Sequence, residues 1–171
     1  MRKHLVSSFL FCTFVSMKQY LTTERKEMYM KDFNENVLSC IDAYWKLDEG
    51  VVKTLIAINQ HQDRQTIYSR LHTRDSHEQP LSYLMLSITK DFEPKFNKIV
   101  HILKNKYKED FRFDIEEPTQ FLGDTENPLA SHLSCNTNEE HFNTSVFSLQ
   151  LYTQKAKIHK AFWLDLENLL A

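Results

Sequence analysis

The stretch LSYLMLSITKDFEPKFNKIVHILKNKY, Leu81–Tyr107, carries the most regular apolar pattern in the chain. Its large apolar residues follow one another at steps of one, three or four positions: Leu81, Leu84, Met85, Ile88, Phe92, Phe96, Ile99, Leu103 and Tyr107. This spacing is typical of one face of an amphipathic helix. Pro94 lacks a backbone amide but fits the first turn of a new helix, which Asp91 could cap. The pattern predicts two consecutive helices, or one kinked helix, ending near Asp110.

The same periodicity appears on both sides of this stretch. Residues 33–45 show one apolar helical face, and residues 51–58 open a second helix whose apolar face resumes at 67–71. Thr137 and Glu140 form a capping box, the S/T-x-x-E pattern that marks the start of a helix. The apolar positions that follow this box share one helical face: Phe147, Leu151, Ile158, Phe162, Leu166 and Leu169. The pattern predicts a last helix at the centre of a bundle.

Composition indicates the same fold class. The 171 residues include two glycines and four prolines, and strands joined by tight turns usually need glycine at positive φ. A chain of this length is the size of one domain and can fold without a disulfide or a metal. We therefore expect a single-domain, all-α bundle of four to five helices over residues 30–171. A long acidic loop at 112–134 should precede the last helix.

Charge and motifs exclude several classes of function. The formal net charge of −2 and the isoelectric point near 6.4 provide no field that would attract nucleic acid or an anionic membrane. The spacings typical of zinc sites, phosphate-binding loops, dinucleotide sites and serine hydrolases do not occur in the sequence. We expect no cofactor, no metal and no membrane span.

Seven consecutive polar residues, NQHQDRQ at Asn59–Gln65, interrupt the second predicted helix. A helix continuing through this run would place Asn59, Gln60 and Asp63 on the line of its apolar face. Burying such groups without partners costs about 1–3 kcal/mol each. The three residues therefore bond one another, face a water-filled groove, or mark a break in the helix. They are the candidate binding residues.

A second candidate site lies in YSRLHTRDSH, Tyr68–His77. One interpretation is the last turn of a helix, where basic side chains and histidines complement the negative end of the helix dipole. The other is catalytic, because Arg70 and His77, with six residues between them, resemble the Arg-x(4–6)-His pair of the all-helical HEPN ribonucleases. The resemblance implies metal-independent RNA cleavage near a dimer interface. Arg70 would stabilise the phosphate charge, and His77 would act as acid or base.

The N-terminus also permits two interpretations. Residues 1–15 combine a basic start with a short apolar run, as in a secretory signal cleaved near Ser16. Export to the periplasm or the medium would leave Cys40 and Cys135 as a pair able to oxidise.

The other interpretation, which we favour over export, is a cytoplasmic protein that starts later. RKEMYM, Arg25–Met30, can be encoded by a purine-rich run that would suit a bacterial ribosome-binding site. Translation would then begin at Met28 or Met30, and residues 1–29 would be an over-extended segment outside the domain.

These observations predict a small, non-catalytic interaction or regulatory domain that binds a protein partner or forms a homodimer. Two other functions remain open. The ribonuclease alternative uses Arg70 and His77 and is the only one that requires nucleic acid. The second alternative is a secreted helical-bundle ligand.

Overall fold

A four-stranded antiparallel sheet forms the centre of the protein. The computed structural model describes residues 18–38, 49–71, 80–116 and 144–171. The strands are β1 (Arg64–Arg70), β2 (Leu81–Ile88), β3 (Phe111–Glu116) and β4 (Val146–Tyr152). Their order across the sheet is β1-β2-β4-β3, with every neighbouring pair antiparallel.

Four α-helices accompany this sheet within the described ranges. They are α1 (Thr23–Asp32), α2 (Glu49–Asn59), α3 (Glu93–Tyr107) and α4 (Ala156–Leu170). A π-helical segment, Phe33–Leu38, follows α1, and a 3₁₀ turn, Lys108–Asp110, follows α3. The predicted all-α bundle is therefore wrong, and the protein is a mixed α/β fold.

Leu81–Ile88 shows why the helical prediction failed. In β2 the side chains alternate, so Leu84, Leu86 and Ile88 point to one face and are fully buried. Leu86 does not belong to the helical series Leu81, Leu84, Met85 and Ile88, although it is fully buried. An eight-residue run with apolar side chains on both faces satisfies a helix and a buried strand equally well. Cross-strand pairing with β1 and β4 decided between them.

The second half of the opening stretch was predicted correctly. α3 spans Glu93–Tyr107, and Pro94 lies in its first turn, where the missing amide has no effect on helical hydrogen bonds. The predicted cap is wrong, because Phe92 is the N-cap residue and no side chain caps α3. The Thr89 hydroxyl accepts a hydrogen bond from the Phe92 amide at 3.3 Å in the turn before the helix.

The last predicted helix divides into a strand and a helix. Residues 156–170 form α4 as expected, but Val146–Tyr152 forms β4, in which Phe147, Leu149 and Leu151 are buried on one face. β3 replaces the start of the predicted acidic loop. The capping-box residues Thr137 and Glu140 and most of the predicted loop lie outside the described residues.

α3 and α4 cover one face of the sheet. The Phe96 ring of α3 packs against the rings of Phe113 and Phe147 at centroid distances of 5.9 and 5.5 Å. On α4, Phe162 packs against Tyr107 and Phe111. These contacts join strands and helices into one apolar core.

The chain before α1 and α1 itself also pack on the sheet. The Leu21 amide donates to the carbonyl of Ile88 at 2.9 Å, and the Ser145 amide donates to the carbonyl of Gln19 at 2.7 Å. Leu21 and Tyr29 are 4% and 6% exposed. Residues 18–29, which the sequence assigned to a segment outside the domain, therefore contribute to its core.

Candidate functional site

The polar run Asn59–Gln65 marks a break in the helix. α2 ends at Asn59, and β1 begins at Arg64. Gln60 lies in the turn between them and is exposed. Asp63 is half-buried, and its carbonyl accepts a hydrogen bond from the Thr89 amide at 2.9 Å. The polar groups interrupt the apolar line because the chain changes from helix to strand there.

Asn59 and Thr66 form two hydrogen bonds with each other across this turn. Its side-chain amide donates to the Thr66 hydroxyl at 2.8 Å, and its side-chain oxygen accepts from the Thr66 amide at 2.8 Å. Asn59 is 2% exposed. The side chain thereby satisfies a backbone amide at the start of the edge strand.

The side chain of Lys26, on α1, reaches the same turn between α2 and β1. Its ammonium donates to the carbonyl of Asn59 at 2.8 Å, the carbonyl of Arg64 at 2.7 Å and the side-chain oxygen of Gln65 at 2.7 Å. Lys26 is 3% exposed and Gln65 is fully buried. Three acceptors match the three donors of a protonated lysine. We name the residues Lys26, Asn59, Arg64, Gln65 and Thr66 the Lys26 cluster.

Burial lowers the pKa of Lys26 to about 8 from its ordinary value of 10.5. Desolvation of the ammonium is the largest cause, and the nearby Asp63 carboxylate partly opposes it. A lysine with a lowered pKa is a feature of catalytic sites, but structural networks produce it as well. The hydrogen bonds decide in favour of structure, since each ammonium proton already has an acceptor.

Arg64 anchors the cluster to the rest of the fold. Its Nη1 donates to the carbonyl of Leu170 at the end of α4 at 2.9 Å, and its Nε donates to Asp63 at 2.8 Å. The guanidinium carbon lies 4.2 Å from the centroid of the Phe92 ring. Arg64 is 3% exposed, so these contacts compensate a charge that is removed from water.

The three candidate binding residues therefore do not form one site. Asn59 belongs to the Lys26 cluster, Asp63 lies at its margin, and Gln60 points away from it into solvent. Sequence reasoning missed Lys26 and Arg64. Arg64 lies inside the polar run and could have been included, whereas a lone lysine at position 26 gives no local signal. No buried side-chain nitrogen or oxygen of the cluster lacks a hydrogen-bond partner, so the cluster offers a ligand no free group.

Arg70 does not lie on a helix. It ends β1 and is paired across the sheet with Tyr83 of β2. The helical placement that both interpretations gave Arg70 is therefore wrong, whereas the catalytic pairing of Arg70 with His77 stays a prediction. His77 lies outside the described residues.

A second polar pair with catalytic residue types is buried. The Ser82 hydroxyl and His159 Nδ1 are 2.7 Å apart, and His159 Nε2 is 2.7 Å from the carbonyl of Thr153. Nε2 must donate to that carbonyl, and the Ser82 hydroxyl, which can donate or accept, pairs with Nδ1. Ser82 and His159 are both fully buried. The pair joins β2 to α4, and a substrate has no access to it.

The β3 edge, Phe111–Glu116, carries exposed polar side chains. β3 is the terminal strand on its side among the described residues. Arg112 and Asp114 are exposed on one face, and Ile115 on the other is 38% exposed. The Arg112 guanidinium carbon lies 4.7 Å from the Tyr152 ring centroid on β4. At the opposite side of the sheet, α1 and α2 both contact β1.

Three further findings concern cofactors, membranes and relatives. Within residues 18–38, 49–71, 80–116 and 144–171, no group of three or more His, Cys, Asp or Glu side chains could hold a metal ion. No helix in these ranges has the length and hydropathy needed to cross a membrane. Comparison of the chain with protein-family models, curated proteins and solved structures found no match.

Proposed function

We propose that this protein is a small, non-catalytic interaction domain that binds a protein partner at the β3 edge. The observation that carries this proposal is an exposed terminal strand with alternating apolar and charged side chains and an accessible Ile115. An edge strand presents unpaired N–H and C=O groups, and an extended segment of another chain can add to it as a further strand.

The buried polar groups support a non-catalytic role. Lys26 and the Ser82–His159 pair have residue types that enzymes use, but they are buried and hydrogen-bonded within the fold. A general base or nucleophile must come within hydrogen-bond distance of its substrate. The exposed groups at β3, in contrast, are available to a partner without any rearrangement of the core.

The packing of residues 18–29 supports one of the two proposed N-termini. A chain cleaved near Ser16 retains Leu21 and Lys26, whereas a chain that begins at Met30 loses both. We therefore infer that the working protein contains residues 18–29, which disfavours a start at Met28 or Met30. Intact-mass measurement of the native protein tests this, because an N-terminus at Met28 or Met30 would contradict it.

Two variants with the same chemical change test the binding surface. Ile115→Lys places a charge at the β3 edge, and Leu164→Lys places one at an exposed site of α4 that is 58% exposed. Proteins retained by the immobilised full-length chain would be identified, and each would then be purified and measured for direct binding. A second copy of the chain counts as a partner.

The proposal requires that Ile115→Lys weakens direct binding by about tenfold or more, while Leu164→Lys retains it. A partner that binds both variants equally well would contradict the assignment to the β3 edge. Turnover of a substrate by the purified chain, abolished by His159→Ala in a protein of unchanged melting temperature, would contradict the non-catalytic role.

A further inference from the structure

We propose that the partner at the β3 edge is a second copy of this chain, paired antiparallel to the first strand about a two-fold axis at Phe113. The inference rests on the proposed function, because it names the occupant of the same edge. Two four-stranded sheets would then join into one continuous sheet.

The two-fold geometry limits the possible registers. A symmetry axis perpendicular to the sheet keeps each face on the same side in both copies, so directly opposite residues must come from the same face. The register is therefore centred on a residue of the strand. Centring on Arg112 or Asp114 would place that charged side chain opposite its own copy, which is unfavourable.

A register centred on Phe113 pairs opposite charges. Arg112 of each copy then lies opposite Asp114 of the other, and the symmetry makes this pair twice. Both side chains are exposed on the same face of β3, so they can meet without disturbing the core. Cross-strand pairs of opposite charge stabilise an antiparallel ladder, and like charges destabilise it.

The same register also buries apolar surface. Phe111 of one copy lies opposite Ile115 of the other, and the two Phe113 side chains are adjacent at the axis. Phe113 packs against the core and Ile115 is 38% exposed, so the pairing would extend the apolar face of the sheet. In each copy the paired part of β3 begins at Phe111, because Asp110 belongs to the 3₁₀ turn before the strand.

Charge exchange at the edge tests this register in the full-length protein. Arg112→Asp and Asp114→Arg each place two like-charge pairs in the interface. The double variant Arg112→Asp/Asp114→Arg restores both opposite-charge pairs with the residues exchanged. An equimolar mixture of the two single variants also restores them, but only between unlike chains. Lys31→Asp, at an exposed site on α1, is the control.

Sedimentation equilibrium gives the dimer dissociation constant, and circular dichroism verifies that each variant is folded. We expect a dimer of the wild type and of Lys31→Asp, and a dissociation constant about tenfold higher for each single variant. The double variant should return to within about threefold of wild type. The mixed single variants should form heterodimers in preference to homodimers.

Two results would overturn the inference. One is a wild-type chain that stays monomeric at about 100 μM. This result would exclude a second copy as the partner, while the Ile115→Lys variant would still test whether a different protein binds the β3 edge. The other is a dimer whose dissociation constant does not respond to charge exchange, which would place the contact elsewhere. If a single variant fails to fold, the dissociation constant of the Ile115→Lys dimer decides instead. An increase of about tenfold supports the β3 edge, and an unchanged value places the contact elsewhere.

Discussion

The Lys26 cluster and the β3 edge lie at opposite edges of the same sheet, the first at β1 and the second at β3. Their charged groups have contrasting surroundings. Lys26 and Arg64 are each 3% exposed and are held by hydrogen bonds to groups on α2, β1 and α4. Arg112 and Asp114 are exposed on β3. A buried charge that loses its partners is costly, whereas an exposed one is not. The first pair should therefore determine stability, and the second should determine only association.

The largest expected effect comes from removing residues 1–29, so that the chain begins at Met30. This loses the buried side chains of Leu21, Lys26 and Tyr29. Burial of two apolar side chains contributes about 2 kcal/mol each, and the lysine hydrogen bonds add about 3 kcal/mol. The sum approaches the whole stability of a domain, which is about 5–15 kcal/mol.

We therefore expect the Met30 chain to show no cooperative thermal transition by circular dichroism. A chain that begins at Met17 is the matched control, because it keeps every described residue and should melt like the full-length protein. Equal melting temperatures for the Met17 and Met30 chains would show that residues 18–29 do not support the fold.

Lys26→Met should have the next largest effect. It leaves three buried acceptors unpaired, at about 1–3 kcal/mol each, and it relieves a desolvation cost of about 3 kcal/mol that corresponds to the lowered pKa. The net loss in the free energy of unfolding should be about 3 kcal/mol at pH 7, measured by urea denaturation. Lys31→Met, at an exposed lysine of the same helix, should change it by less than about 0.5 kcal/mol.

The pH dependence of stability sharpens the same comparison. The pKa of Lys26 is about 8 in the folded state and 10.5 ordinarily, so between these values the unfolded chain binds more protons. The free energy of unfolding then rises with pH. From pH 7 to 9.5 it should increase by about 2 kcal/mol in the wild type relative to Lys26→Met. Parallel pH profiles of the two proteins would contradict the burial of a charged lysine.

Asp63→Leu should have a smaller effect, because Asp63 lies at the margin of the cluster with a side chain that is 41% exposed. The change leaves Arg64 Nε without its acceptor and should lower the free energy of unfolding by about 1 kcal/mol. Asp63→Asn keeps an acceptor oxygen and should lose less. A loss of partner binding without a loss of stability would instead assign Asp63 to a binding site.

The smallest effects on folding are expected at the β3 edge. Arg112→Ala removes the contact with Tyr152, and Asp114→Ala removes an exposed carboxylate. Each should change the free energy of unfolding by about 0.5 kcal/mol or less at protein concentrations too low for association. A loss as large as that of Lys26→Met would show that the edge stabilises the monomer and would remove the contrast between the two regions.

Part of the candidate site could be predicted from the sequence. The run Asn59–Gln65 was identified as a place where the helix could break, and α2 does end at Asn59. The candidate residues do not bond one another, since Asn59 pairs with Thr66 and Asp63 pairs with Arg64. Lys26 could not be predicted, because it meets Gln65 only after α1 has packed on the sheet. The β3 edge carried a readable signal in the strict alternation of FRFDIE, Phe111–Glu116.

Local sequence by itself determined α2, α3 and α4. Their apolar faces repeat at helical spacing, as in Phe96, Ile99 and Leu103, and such a pattern identifies a helix wherever it packs. The shortage of glycine was misleading, because β1 and β2 are separated by residues 71–80 and β3 and β4 by residues 117–145, so neither pair requires a two-residue turn.

Only the tertiary structure decided that residues 81–88 form a strand. Their apolar side chains fit either period, and the strand becomes favourable once β1 and β4 accept its backbone hydrogen bonds and the core covers Leu84 and Leu86. The same holds for Lys26, whose acceptors come from the end of α2 and the start of β1. Interactions between segments distant in sequence have no local signal, and these interactions set the fold class.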